Sequence, residues 1–164
     1  MKSRKLVFLH MQNISSSVNK YSLNCNGRMV DLSSPKIMGI LNLTPESFSD
    51  GGKFNNEKSA LKHAEQLIQE GAEIIDIGPQ STRPNAEFLS SEEEVERIGN
   101  MISLIKKEFP EILISLDTFY AETVKFGYNE GIDIINDISG GQFDDKMFET
   151  AAQTKLPYIL MHVN

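Results

Sequence analysis

The sequence predicts an α/β fold built on parallel strands, and three observations point there. Five short apolar runs recur, at 37–41, 74–77, 112–116, 132–135 and 158–161. Between them, apolar residues fall at helical spacing. Each run finishes on a polar group: Asn42, Asp76 near its end, Asp117, Asn136 and His162. Strand, loop and helix thus repeat five times, with the last helix missing. Right-handed crossovers make such strands parallel and bring their C-terminal ends to one side. Helices on one face give a closed (β/α)8 barrel, whereas helices on both faces give a doubly wound sheet. Local pattern leaves both open.

Composition narrows the class. A chain of 164 residues, 40% hydrophobic and 24% charged, suits one globular domain with a proper core. Its net charge of −7 argues against nucleic acid or an anionic membrane as partner. Cys25 is the single cysteine, so no internal disulfide forms, which suits a reducing cytoplasm. The basic start KSRKLVFLHM has too short an apolar run for a signal peptide and lacks a small-residue cleavage site. No run approaches the roughly 20 apolar residues of a membrane span.

Residues 1–20 form a poorly defined N-terminal extension, with a possible strand at 6–9 and a loop at Ser15-Ser16-Ser17. Residues 21–164 read as one domain. It opens with two short strand-like runs around Asn26-Gly27, a type I′ hairpin signal. Cys25 beside that turn is a packing residue. The stretch 37–52 is a buried strand emptying into a polar loop. Pro45 ends the strand and Gly51-Gly52 lets the chain bend. A helix over 58–70 carries Leu61, Ala64, Leu67 and Ile68 and stops at Gly71. Ser91 and Glu94 suggest a capping box. It opens one helix with Val95, Ile98, Ile102 and Ile105 inward. Glu92, Glu93, Glu94, Glu96 and Arg97 are its solvated face. A helix with Ala121, Val124 and Tyr128 stops near Gly131. Another carries Met147, Phe148, Ala151 and Ala152 before Pro157.

The polar strand ends would ring one pocket mouth. A buried carboxylate such as Asp117 is costly unless hydrogen-bonded, and a ligand rich in N–H donors would satisfy it. Asn136 offers both a donor and an acceptor to the edge of a heterocycle. The plainer reading is that these groups cap helices or tie down loops. Ser81-Thr82-Arg83-Pro84 offers two hydroxyls and a guanidinium to an anion. Asn42 with Asp50 is a hard-oxygen pair suited to Mg²⁺ shared with a phosphate. His10 and His63 read as structural or exposed.

MGILNLTPESFSDGG, DIGPQSTRP, ISLDT and INDISGG, followed by YILMH, resemble dihydropteroate synthase from about Tyr21 to the last residue. The resemblance implies a (β/α)8 TIM barrel truncated to about five β/α units, its N-terminal β-hairpin plugging the bottom. It implies condensation of 7,8-dihydropterin-6-ylmethyl diphosphate with p-aminobenzoate, an SN1-like reaction giving 7,8-dihydropteroate and pyrophosphate. Asp117 and Asn136 would bind the pterin, supported by Asp76. Asn42 would contact Mg²⁺ and diphosphate. Thr82, Arg83 and Pro84, with Phe48 and Asp50 of the first loop, would close over the leaving group and shape the p-aminobenzoate pocket. Asp117, Asn136 and Arg83 would carry the chemistry.

Three departures from the family pattern stand out. Glu46 replaces a usual Asp, and Pro79-Gln80 replaces a common Gly-Glu. The third is length, since the family's later strands normally supply a further pterin-binding Asp, a Lys and an Arg/His anion site. The expectation is therefore part of a longer chain or one side of a split protein, with two unpaired parallel edges. The full-length form would be a homodimer and a sulfonamide target. Two alternatives remain: a methyltetrahydrofolate-type pterin-binding methyltransferase domain, and a non-catalytic pterin-binding fragment.

Overall fold

The computed structural model describes residues 7–8, 21–44, 53–80 and 88–161. It begins with a two-residue strand β1 (Val7–Phe8), inside the expected 6–9. Next comes a hairpin of β2 (Ser22–Cys25) and β3 (Arg28–Asp31). Asn26 and Gly27 turn it with φ of 52° and 86°, as a type I′ turn requires. The units that follow are β4 (Ile37–Asn42) with α1 (Lys53–Gln69), then β5 (Ile74–Gly78) with α2 (Ser91–Ile98) and α3 (Met101–Glu108). After them come β6 (Leu113–Asp117) with α4 (Ala121–Glu130), β7 (Ile134–Asp137) with α5 (Met147–Thr154), and β8 (Tyr158–Leu160).

The described strands form an open sheet in the order β1-β4-β5-β6-β7-β8, with β4 to β8 all parallel. Side chains alternate across a strand, so register decides which residues share a face. On one face, Leu41, Ile75, Ile77, Ile114, Leu116 and Ile135 join a single buried cluster. Every described helix contributes to it, through residues such as Ala64, Ile98, Ile105, Val124 and Met147. On the other face, Met38, Ile74, Leu113 and Ile134 pack around Cys25 of the hairpin. The described helices therefore cover one face only. That is the barrel arrangement, not the doubly wound one. The hairpin closes the N-terminal end of the interior.

Several expectations need correction. The predicted long helix after residue 90 is two helices, broken where Gly99 takes φ 53°. Its capping box is Ser90 with Glu93, one residue earlier than expected. Its charges do not form one solvated face, because Glu94 is fully buried. Residue 94 lies one turn before Ile98, on the same stripe. Helix α1 starts at Lys53 rather than at 58. Four strands run on past their expected ends, because Asn42, Gly78, Asp117 and Asp137 still take part in the ladder. Of the two expected bare parallel edges, that of β4 carries β1, paired antiparallel with Val7 opposite Met38. None of the described helices is long and apolar enough to cross a membrane.

Candidate active site

The inward face changes from apolar to polar on the way up the strands. Asp76 on β5 stands beside Ser115 on β6, and Asp117 on β6 stands beside Asn136 on β7. Asn136 Nδ2 donates to Asp76 Oδ2 at 3.1 Å, across the intervening strand. Both side chains are buried. Each leaves one oxygen, Asp76 Oδ1 and Asn136 Oδ1, without a partner among the described residues. Buried acceptors are normally satisfied, so a pair left open on an inward face marks a place for a ligand's donors. Burial holds the Asp76 carboxyl above its usual range, opposed by Ser115 and Asn136.

Asp117 sits half-buried at the carboxyl end of β6. Burial, and then the charges of Asp76, Glu94 and Asp137, push its carboxyl up to about 7. A cationic or N–H-rich ligand would relieve this crowding of acids. Gly78 ends β5 beside Asn42 of β4. A Cβ there would stand 3.0 Å from Asn42 Oδ1 and 3.8 Å from Asp117 Oδ2. Glycine thus leaves the space between Asn42, exposed at the rim, and Asp117.

The structure brings together four of the expected site residues: Asn42, Asp76, Asp117 and Asn136. Thr82, Arg83, Pro84, Phe48 and Asp50 lie outside the described residues, as do His10 and His162. His63 is exposed on α1. Among the described residues, no group of three or more His, Cys, Asp or Glu could hold a metal.

Two acids to which sequence reasoning gave no part in the site shape the surroundings. Asp137 follows Asn136 on its strand and so faces the helices. Its carboxylate accepts from Ser139 N at 2.7 Å, Gly141 N at 2.8 Å and the Tyr158 hydroxyl. It thereby fixes the turn after β7. Glu94 on α2 accepts from Thr118 Oγ1 at 2.5 Å, directly after Asp117. Alternation along the strand foretold the direction of Asp137. Only the four-residue spacing to Ile98 hinted at Glu94.

A family profile described as pterin binding enzyme matches residues 38–164. The chain belongs to this pterin-binding enzyme family. It is 47% identical over 136 residues to a dihydropteroate synthase of Streptococcus pyogenes serotype M18, covering 83% of this chain and 51% of that protein. It is 49% identical over 130 residues to a mitochondrial folate synthesis bifunctional protein of Pisum sativum, covering 77% of this chain and 25% of that one. Among solved structures, the Xanthomonas albilineans dihydropteroate synthase with 4-aminobenzoic acid superposes with a TM-score of 0.82 at 35% identity. That match covers 88% of this chain and 52% of the other. The chain therefore spans about half the length of the dihydropteroate synthases it matches. The inward carboxyl and amide groups lie within the matched region.

Proposed function

We propose that the chain supplies the pterin-reading side of a dihydropteroate synthase. The observation that carries this reading is the buried Asp76–Asn136 pair, with an open oxygen on each residue and Asp117 beside it. These acceptors suit the ring and amino N–H groups of a pterin. The names of the relatives support the reaction. A Xanthomonas albilineans structure of the family holds 7,8-dihydropteroate, at a TM-score of 0.76 and 33% identity.

In the proposed reaction the methylene C–O bond of the pterin diphosphate breaks and diphosphate leaves. The amine of p-aminobenzoate then attacks the methylene carbon and loses a proton. Asp117, Asp76 and Asn136 hold the ring, and the Asp117 carboxylate stabilises positive charge developing on it. Asn42 would hold Mg²⁺ jointly with the diphosphate. A hard cation bridging phosphates needs only one or two protein oxygens, and Asn42 Oδ1 looks over Gly78 toward that space. Mg²⁺ would neutralise the leaving group. Thr82, Arg83, Pro84, Phe48 and Asp50 complete the anion and p-aminobenzoate ends. A Yersinia pestis relative is described in complex with a sulfonamide drug, which supports competition by sulfonamides at the p-aminobenzoate end. The single cysteine supports a cytoplasmic setting.

The test is to give the chain pterin diphosphate, Mg²⁺ and p-aminobenzoate, and to follow both pterin binding and pyrophosphate release. Binding that Asp117→Ala abolishes supports the reading, and turnover extends it to catalysis by this chain alone. No binding by the folded chain overturns it.

A further inference from the structure

The acidic run of α2 divides by burial. Glu92, Glu93 and Glu96 are exposed, while Glu94 is 0% exposed. A buried carboxyl is costly, so its contacts carry weight. Thr118 Oγ1 donates to Glu94 Oε2 at 2.5 Å, the one hydrogen bond that the described residues give this carboxyl. The same hydroxyl oxygen accepts from Tyr120 N at 3.1 Å. Gln80 and Thr123 also lie against Glu94, and Gln80 Oε1 accepts from Leu89 N at 3.3 Å. One turn along the helix, Arg97 Nη1 donates to Pro79 O at 2.9 Å. A single turn of α2 therefore grips the exit of β5 at Pro79-Gln80 and the exit of β6 at Thr118. The two strand ends it grips are those that carry Asp76 and Asp117.

We propose that Glu94 is a positioning residue, holding Thr118 and thereby the Asp117 end of β6 in register with the end of β5. This rests on the reading above that Asp117 contacts the pterin. Thr118 follows Asp117 directly, so its anchorage sets where the Asp117 carboxyl points. Arg97 ties the same helical turn to the exit of β5 through Pro79 O.

The test uses the full chain with Glu94→Ala, Glu94→Gln and Thr118→Val. Two readouts are followed, the affinity for pterin diphosphate by calorimetry and amide exchange at Tyr120 and Ile135. Tyr120 N depends on the Thr118 hydroxyl, whereas Ile135 N is bonded to Pro157 O in the sheet. Loss of this buried hydrogen bond is expected to weaken pterin binding about ten-fold in Glu94→Ala and to speed Tyr120 exchange about ten-fold, with Ile135 unchanged. Glu94→Gln keeps a carbonyl that accepts from Thr118, and restores both readouts. Thr118→Val reproduces the loss, and the double variant with Glu94→Ala is no worse than either single. Should Glu94→Ala fail to fold, Glu94→Gln and Thr118→Val carry the comparison. Exchange that rises equally at Tyr120 and Ile135, or not at all, overturns the proposal, as does an additive double variant. If the parent chain binds no pterin, the functional reading fails, and Tyr120 exchange still decides whether the brace exists.

Discussion

Asp117 sits where pH should govern both stability and binding. Its carboxyl is raised from 3.8 to about 7, mainly by burial. A raised acid stabilises the fold most below its unfolded value, and that contribution is lost as pH climbs through the folded one. Asp117→Asn is therefore expected to stabilise the ligand-free chain increasingly from about pH 4 to about pH 7, reaching on the order of 2–4 kcal/mol. Urea melts at several pH values check this. A constant difference across that window contradicts it. Binding runs the opposite way, because the carboxylate is the form that accepts pterin N–H bonds. Affinity should rise between about pH 6 and about pH 8, and Asp117→Asn should flatten that rise while costing about ten-fold or more. Gly78 gives a second residue-level expectation. Gly78→Ala would put a methyl 3.0 Å from Asn42 Oδ1. Moving one exposed amide costs about 1 kcal/mol or less of stability, yet it narrows the gap between Asn42 and Asp117. Binding of pterin diphosphate should weaken more than binding of the free pterin, and equal loss on both would contradict this use of the glycine.

At the scale of elements, the hairpin is the piece whose purpose the structure makes plain. Cys25 sits fully buried among Met38, Ile74, Leu113 and Ile134, so the turn of the hairpin seals the apolar end of the interior. Burial and the nearby Asp133 raise its thiol, which leaves it protonated and unreactive in the fold. Cys25→Ser should cost about 1–3 kcal/mol, since a hydroxyl enters an apolar cluster. An alkylating reagent should label the parent thiol only on unfolding, and rapid native labelling would mean that the hairpin does not dock as described. The turn itself was legible in Asn26-Gly27, because φ above zero at both central positions narrows the residue choice. The strands were legible too, as apolar runs, but most were read as ending where polarity began. Asn42, Asp117 and Asn136 defeat that rule, because an inward position near a pocket stays in the ladder while losing its apolar character. The break at Gly99 was missed because Ile98 and Ile102 keep helical spacing across it. Glu94 was misread because charge in a helix normally marks the wet side, and nothing local announces the Thr118 hydroxyl that meets it from the exit of β6.

For the whole molecule, the decisive feature is that the two faces of the sheet are finished to different degrees. The helix-facing side is a continuous buried cluster running from Leu41 to Leu156, enough to hold the described strands together. The inward side is sealed at the bottom by the hairpin and polar at the top. Among the described residues the sheet is open, with β8 at one end and Leu160 58% exposed. An unpaired parallel edge is a template for another strand. Strand order and polar ends could be read from the sequence, but closure could not, since it depends on partners that no local pattern specifies. The matched dihydropteroate synthases are about twice as long as the region shared with this chain. We therefore propose the unshared half of such a relative as the complement to this edge. Mixing this chain with the C-terminal half of such a relative, made as a separate polypeptide, should give a one-to-one complex by light scattering. It should bind pterin diphosphate more tightly than this chain alone. Leu160→Lys, which charges the open edge, should weaken that complex by about ten-fold or more, as expected for like placement of charge at an edge strand. The control is Lys125→Ala on the exposed surface of α4, which should leave assembly unchanged. A chain that stays monomeric beside its complement and binds pterin equally well alone would show that the inward groups need no further strands to form their pocket.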